Sequence, residues 1–289
     1  MNPQIVISAS RRTDIPAFYM PWFMGRIKSG FFEVVNPYNR QTRVVPATPA
    51  EVHTIVFWSK DFGPFLQENH GKKLQKAGYN LFFNFTINSE SPQLEPHVPP
   101  LRVRLNQLKQ LCDQFGSRVI SWRFDPICFF KMHNSIVRDN LGDLDHIAEK
   151  AAEYGIERCI TSFMDHYTKI EKRLAGLPGF SFFDPSLKTK RRVVLEIEKR
   201  LACCNINLKL CCEKDVLAAL GANTSVTQSA CIPSELLVEL FGGTLSLRKD
   251  SGQRIQKGCG CKVSVDIGSY HQHPCYHNCL FCYANPTSR

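Results

Sequence analysis

No stretch of this 289-residue chain approaches the roughly 18 consecutive apolar residues that a membrane span requires. The earliest apolar run, Ile5-Val6-Ile7, is also too short for the core of a signal peptide. A cytoplasmic chain with no membrane partner is therefore expected. Low-complexity linkers are absent, and so is the interleaving of aromatic and basic residues by which single-strand binders hold bases and phosphates. With 43% hydrophobic residues and no linker, residues 1–289 read as one globular domain, of which 203–289 is a cysteine-rich C-terminal part. The thirteen cysteines are then no disulfide framework. A reducing compartment keeps them as thiols or metal ligands, and their odd number agrees with this.

The formal charge of +10 leaves an anionic partner open, nucleic acid among them. The densest basic run, Lys188, Lys190, Arg191 and Arg192, opens a segment in which Leu187, Val194, Ile197 and Leu201 recur at helical spacing. Its charges are read first as the solvated face of a packed helix.

Short apolar or β-branched runs recur at Ile5–Ser8, Thr54–Trp58, Leu81–Ile87, Val119–Phe124, Cys159–Phe163, Ile206–Cys211 and Val263–Ile267, and each reads as a buried strand. Helix-period segments lie between several of them, most clearly Asp139–Tyr154, where Leu141, Leu144, Ile147, Ala148 and Ala151 share a face and Gly155 ends the pattern. This alternation predicts an α/β fold with parallel strands, a partial or full (β/α) barrel. Phe32–Val35 and Thr42–Val45 flank Asn36-Pro37-Tyr38-Asn39 as an inserted hairpin. Ser89–Pro100 is rich in proline and reads as an irregular loop of the active site or the surface. Polar residues gather where strands end: Ser10 to Asp14, Ser59-Lys60-Asp61, Asn84 with Thr86 and Asn88, Arg123 with Asp125, and Glu213. In a parallel barrel such ends share one face and build a site, although an Asp or Ser there also serves as a helix or turn cap.

Near the C-terminal end stands Cys275-Tyr276-His277-Asn278-Cys279-Leu280-Phe281-Cys282. Three thiolates on so short a loop can wrap one metal centre, and no fourth cysteine follows, so a 4Fe-4S cubane held here keeps one iron open to an outside ligand. Zinc competes, because His271, His273 and His277 are near enough in sequence to complete a tetrahedral site. Cys212, Cys231, Cys259 and Cys261 form a looser set. They suit a second iron-sulfur cluster, zinc or no metal, and Gly258-Cys259-Gly260-Cys261 is shaped for close approach to a metal. Cys203, Cys204 and Cys211 read as packing, as do Cys112, Cys128 and Cys159.

The C-x3-C-x2-C spacing, with an aromatic residue before its last thiol, resembles the radical S-adenosylmethionine motif, which normally lies near the N-terminus. The order of Ser10-Arg11-Arg12-Thr13-Asp14, Trp58-Ser59-Lys60-Asp61, Asn84-Phe85-Thr86-Ile87-Asn88 and Trp122-Arg123-Phe124-Asp125-Pro126 resembles the strand ends of the spore photoproduct lyase branch. Only the cysteine loop has moved from front to back. The chain looks like a circular permutation in which the strand at Val263–Ile267 pairs beside that at Ile5–Ser8. Over nearly its full length it also resembles the domain-of-unknown-function 1848 family, in Ser-Arg-Arg-Thr-Asp-Ile-Pro-Ala-Phe near the start and in Asp-Ile-Gly-x-Tyr and Cys-Tyr-Ala-Asn near the end. Where relatives carry Trp-Thr-Lys-Asn, this chain has Trp58-Ser59-Lys60-Asp61, which leaves the role of Asp61 open.

The resemblance implies a 4Fe-4S cluster on Cys275, Cys279 and Cys282 whose fourth iron is chelated by S-adenosylmethionine. Ser10, Thr13 and Asp14 are then candidates for the methionyl ammonium. Lys60, Asn84 and Arg123 would meet its carboxylate or ribose, and Phe281 its adenine. Reductive cleavage would give a 5'-deoxyadenosyl radical that takes hydrogen from an unidentified substrate, a nucleic-acid lesion being one option. A reductant protein such as a flavodoxin or ferredoxin is implied as partner, and no catalytic residue is assigned. Two other functions stay open: a non-catalytic nucleic-acid-binding protein stabilised by zinc or a cluster, and an iron-sulfur electron carrier.

Overall fold

The computed structural model describes residues 4–36, 39–133 and 136–284. Its strands in chain order are β1 (Ile5–Ala9), β2 (Phe31–Val35), β3 (Thr42–Pro46), β4 (Val52–Ser59), β5 (Asn80–Thr86), β6 (Ile120–Ile127), β7 (Phe129–Met132), β8 (Arg138–Asp139), β9 (Arg158–Phe163), β10 (Phe180–Phe183), β11 (Asn207–Leu210), β12 (Thr227–Gln228) and β13 (Val265–Asp266). Eight of them form one sheet in the order β12-β11-β9-β6-β5-β4-β1-β13, and all its pairings are parallel. The expected parallel α/β architecture is present. Its order is linear, so β12 and β13 remain edges and hydrogen bonding does not close a complete barrel among the described residues.

Side chains alternate across a strand, and here the alternation divides the sheet between two cores. Ile7, Ile55, Phe57, Phe83, Trp122 and Leu208 pack with Phe23, Phe65, Leu105, Ile147 and Val194 of the crossover helices. Each such fully buried Phe or Leu contributes about 1.5–3 kcal/mol. Their neighbours Val6, Val56, Phe82 and Ile160 face the other way, against Leu237 and five buried cysteines. Two residues further along that second face come Ser8, Trp58, Asn84 and Ser162, so its lower part is apolar and its upper part polar.

β2 and β3 pair antiparallel as the expected hairpin; Pro37 and Tyr38 of its turn lie outside the described residues. A second small sheet, β10-β7-β8, was not anticipated. Its Phe130, Phe180 and Phe182 pack with Leu94, Cys279 and Phe281, so it supports the cysteine loop. The helix expected over Asp139–Tyr154 is Leu144–Glu153, because Asp139 pairs in β8 and Leu141 precedes the Asp143 N-cap. In the helix Leu187–Ala202 the buried stripe is Val193, Val194, Ile197 and Leu201, while Leu187 at its first position is exposed. No helix among the described residues is long and apolar enough to cross a membrane.

Candidate functional site

The polar end of the second face opens on a cavity of about 470 Å3, which the ends of β1, β4, β6 and β9 share with both sets of cysteines. The first set arrives through β13. This strand pairs in parallel with β1, Ile7 opposite Val265 and Ser8 opposite Asp266, which is the pairing expected for Val263–Ile267 and Ile5–Ser8. Asp266 makes the joint, accepting from Ser8 Oγ (3.0 Å), Ser10 Oγ (2.6 Å) and the Arg11 amide (2.7 Å). Gly268 follows because a Cβ there would stand 2.1 Å from Ser10 Oγ.

The loop itself is held from three sides. His277 Nε2 lies 2.8 Å from Asp14 Oδ2, which also accepts from the Lys60 amide at 2.8 Å. Asp14 Oδ1 accepts from Ser59 Oγ (2.7 Å) and the Ala17 amide (3.0 Å). From the helix Thr168–Leu174, the Arg173 guanidinium donates to the carbonyls of Leu280 (2.5 Å), Cys282 (3.2 Å) and Cys279 (3.4 Å). The Leu280 amide donates to the Leu94 carbonyl of the proline-rich loop at 2.9 Å. So anchored, Cys275, Cys279 and Cys282 all line the cavity. Burial pushes the Cys275 thiol up to about 12 and the Cys279 thiol well above its ordinary value. A metal taking these thiols as thiolates must therefore release protons from buried groups.

The histidines that made zinc a competitor are each differently placed. His277 is engaged by Asp14. His273 is buried against Trp22, with ring centres 4.1 Å apart, and against Tyr19. His271 is exposed.

The other expected ligand residues divide. Ser10, Thr13, Asp14, Lys60, Arg123 and Phe281 line the cavity. Thr13 Oγ1 is buried with no hydrogen-bond partner among the described residues. Lys60 reaches Glu95 at 2.5 Å and stands 5.4 Å from the centre of the Phe281 ring. Glu95 Oε2, like Thr13, has no partner among the described residues. The Asp14 carboxylate has four donors already, so it positions the loop and caps the helix Ile15–Phe18. Asn84 does not line the cavity; its amide donates to the Cys231 carbonyl at 3.1 Å. Arg123 turns to the second cysteine set, with Nη1 2.6 Å from Cys231 Sγ and Nη2 on Asp125. Burial alone would raise the Asp125 carboxyl, but Arg123 and Ser162 hold it below the usual carboxylate range. Asp61 closes its own turn, accepting from the Gly63 amide (2.8 Å) and Gln107 (2.7 Å). Glu213 accepts from the Phe163 amide, and burial pushes its carboxyl up to about 7.

The second set is larger than expected. Cys212, Cys231, Cys259 and Cys261 do come together, and Cys211, read as packing, joins them: its sulfur is 3.7 Å from those of both Cys212 and Cys231. Electrostatic contacts between Cys212 and Cys259, Cys259 and Cys261, and Cys261 and Cys231 close a ring. Cys212 stands at φ 60°, in the left-handed region that residues other than glycine seldom adopt. Gly260 permits the approach, since a Cβ there would lie 2.6 Å from the Ser229 carbonyl oxygen. Arg11 and Arg123 flank the ring, and both guanidiniums lie 5.2 Å from the centre of the Trp58 ring between them. Donation from Cys231 and Cys259, together with Arg11, holds the Cys261 thiol below its ordinary value. As the side chains stand, no three His, Cys, Asp or Glu among the described residues are grouped to hold a single metal ion.

Sequence reasoning missed Cys211, Arg11, Glu95 and Arg173. Only Arg11 carried a local signal, its place in the strand-end run after β1. Arg173 and Glu95 lie in a helix and a loop remote in sequence from the cysteines they serve. Comparison with protein families matches residues 6–284 to the family described as Domain of unknown function (DUF1848). The chain belongs to that family. Among curated proteins no match is found.

Proposed function

We propose that this DUF1848 chain is a radical S-adenosylmethionine enzyme, a circularly permuted relative of the spore photoproduct lyase branch built on a partial (β/α) barrel in one domain. The observation that carries the reading is the parallel pairing of β13 beside β1. It returns the C-x3-C-x2-C loop to the strand ends where, in the unpermuted order, that loop would begin the sheet.

The residues present fit the group. Cys275, Cys279 and Cys282 are soft donors that line the cavity and would hold a 4Fe-4S cluster. Thr13, with its unpartnered hydroxyl, would receive the methionyl ammonium, and Ser10, bonded to Asp266 and the Arg12 amide, would line that end of the cavity. Lys60, kept charged beside Glu95, would meet the carboxylate, and Phe281 offers its ring to the adenine. Asp14 and Arg173 orient the loop, Asp14 through His277 and Arg173 through the loop carbonyls. The small sheet's Phe130 and Phe180 pack around Cys279 and limit water on that side. When bound, the cluster and S-adenosylmethionine together supply, on one-electron reduction, a 5'-deoxyadenosyl radical that takes hydrogen from substrate. This chemistry calls for a reductant protein of flavodoxin or ferredoxin type and for the reducing interior of the cytoplasm. The substrate is unidentified, with nucleic acid one class to try.

The test is anaerobic reconstitution with iron and sulfide, followed by dithionite and S-adenosylmethionine. Formation of 5'-deoxyadenosine is expected, and Cys279→Ala should reduce it by about a thousandfold or more. Iron without 5'-deoxyadenosine would make the chain an electron carrier. Zinc in place of iron would make it a stabilised binding module.

A further inference from the structure

We propose that four of the five thiols of Cys211, Cys212, Cys231, Cys259 and Cys261 ligate an iron-sulfur cluster, a second metal centre on the same cavity as the Cys275–Cys282 loop. The inference is independent of the S-adenosylmethionine reading, because it rests on different residues.

Convergence is the first argument. These thiols come from three separate segments, yet Cys211 Sγ is 3.7 Å from two others and the contacts run on to a closed ring. The packing cysteines behave differently: Cys128 and Cys159 sit apart from one another in apolar clusters. Shape is the second. Four thiolates on one tetrahedral zinc at 2.3 Å would form edges of about 3.8 Å, which single pairs here match. The five nevertheless form a ring, and no three surround one ion position. A ring suits a centre of several metal atoms, each taking its own thiolate.

Charge is the third. Arg123 Nη1 lies 2.6 Å from Cys231 Sγ. Arg11 keeps a buried Nη2 with no hydrogen-bond partner among the described residues. A cluster with four thiolates is anionic, and two guanidiniums beside it offset that charge where water is scarce. Position is the last. Structural zinc sites are closed, whereas all five of these cysteines line the cavity, so the centre lies within reach of whatever the cavity binds.

The experiment uses the full chain carrying Cys275→Ala, Cys279→Ala and Cys282→Ala together, reconstituted anaerobically with iron and sulfide. About four irons and four sulfides per chain are expected to remain, with cluster absorbance. Adding Cys231→Ser and Cys261→Ser should remove at least half of that iron. Zinc, an absence of metal, or iron content unmoved by the added serines overturns the proposal. If the triple variant does not fold, the wild-type chain decides: about eight irons per chain support two clusters, and about four overturn the second. Absence of 5'-deoxyadenosine from wild type, with iron retained in the triple variant, would sink the proposed function and leave this centre standing.

Discussion

The two cysteine sites face one cavity and are built in opposite ways. Cys275, Cys279 and Cys282 occupy one short loop, so their proximity is local and cheap in chain entropy. The fold's task is to hold the loop from outside, through Asp14 to His277 and through Arg173 to the loop carbonyls. The five-thiol ring is drawn from segments about β11, after β12 and before β13, and exists only when the second face of the sheet is assembled. Its partners are cations, Arg123 on the Cys231 sulfur and Arg11 beside the ring. A contiguous site needs anchoring. An assembled site also needs its charge balanced.

That contrast can be broken by substitution. Arg123→Ala should have the largest effect on stability, since it leaves Asp125 and Cys231 without their buried cation: about 3–5 kcal/mol by urea unfolding. Iron at the second site should fall with it, and iron held by the Cys275 loop should not. Equal loss at both sites would show that the two are one cooperative unit. Asp14→Ala removes an acceptor from four donors and should cost about 3 kcal/mol, with faster loss of iron from the first site alone. Arg173→Ala should be mildest, about 1–2 kcal/mol, because its helix is partly exposed. Its signature is a raised iron-loss rate from the loop at unchanged content in the second site; an unchanged rate would mean that the three carbonyl contacts do not anchor the loop.

The sheet was legible because its strands are apolar runs, and β1, β4, β5, β6, β9, β11 and β13 fall within a few residues of their expected places. What such runs conceal is facing. When both neighbours of a residue are buried, alternation leaves no trace in hydropathy, and so Ser8, Trp58 and Asn84 could not be aligned as one face. The three-cysteine loop was legible from spacing alone. Cys211 was not, since it continues the apolar run Ile206–Cys211, and only its place at the end of β11 carries it into the ring. Asp14 shows the same limit in another form: a residue at a strand end can cap a helix and fasten a distant loop at once.

The joining of β13 to β1 also bears on how this protein is made. Because the Cys275–Cys282 loop lies behind every other described element in chain order, it leaves the ribosome after the rest of the sheet. A polypeptide abandoned earlier in synthesis has no such loop. On the proposed reading, a cluster at that site could be loaded only once the chain has been translated past β13.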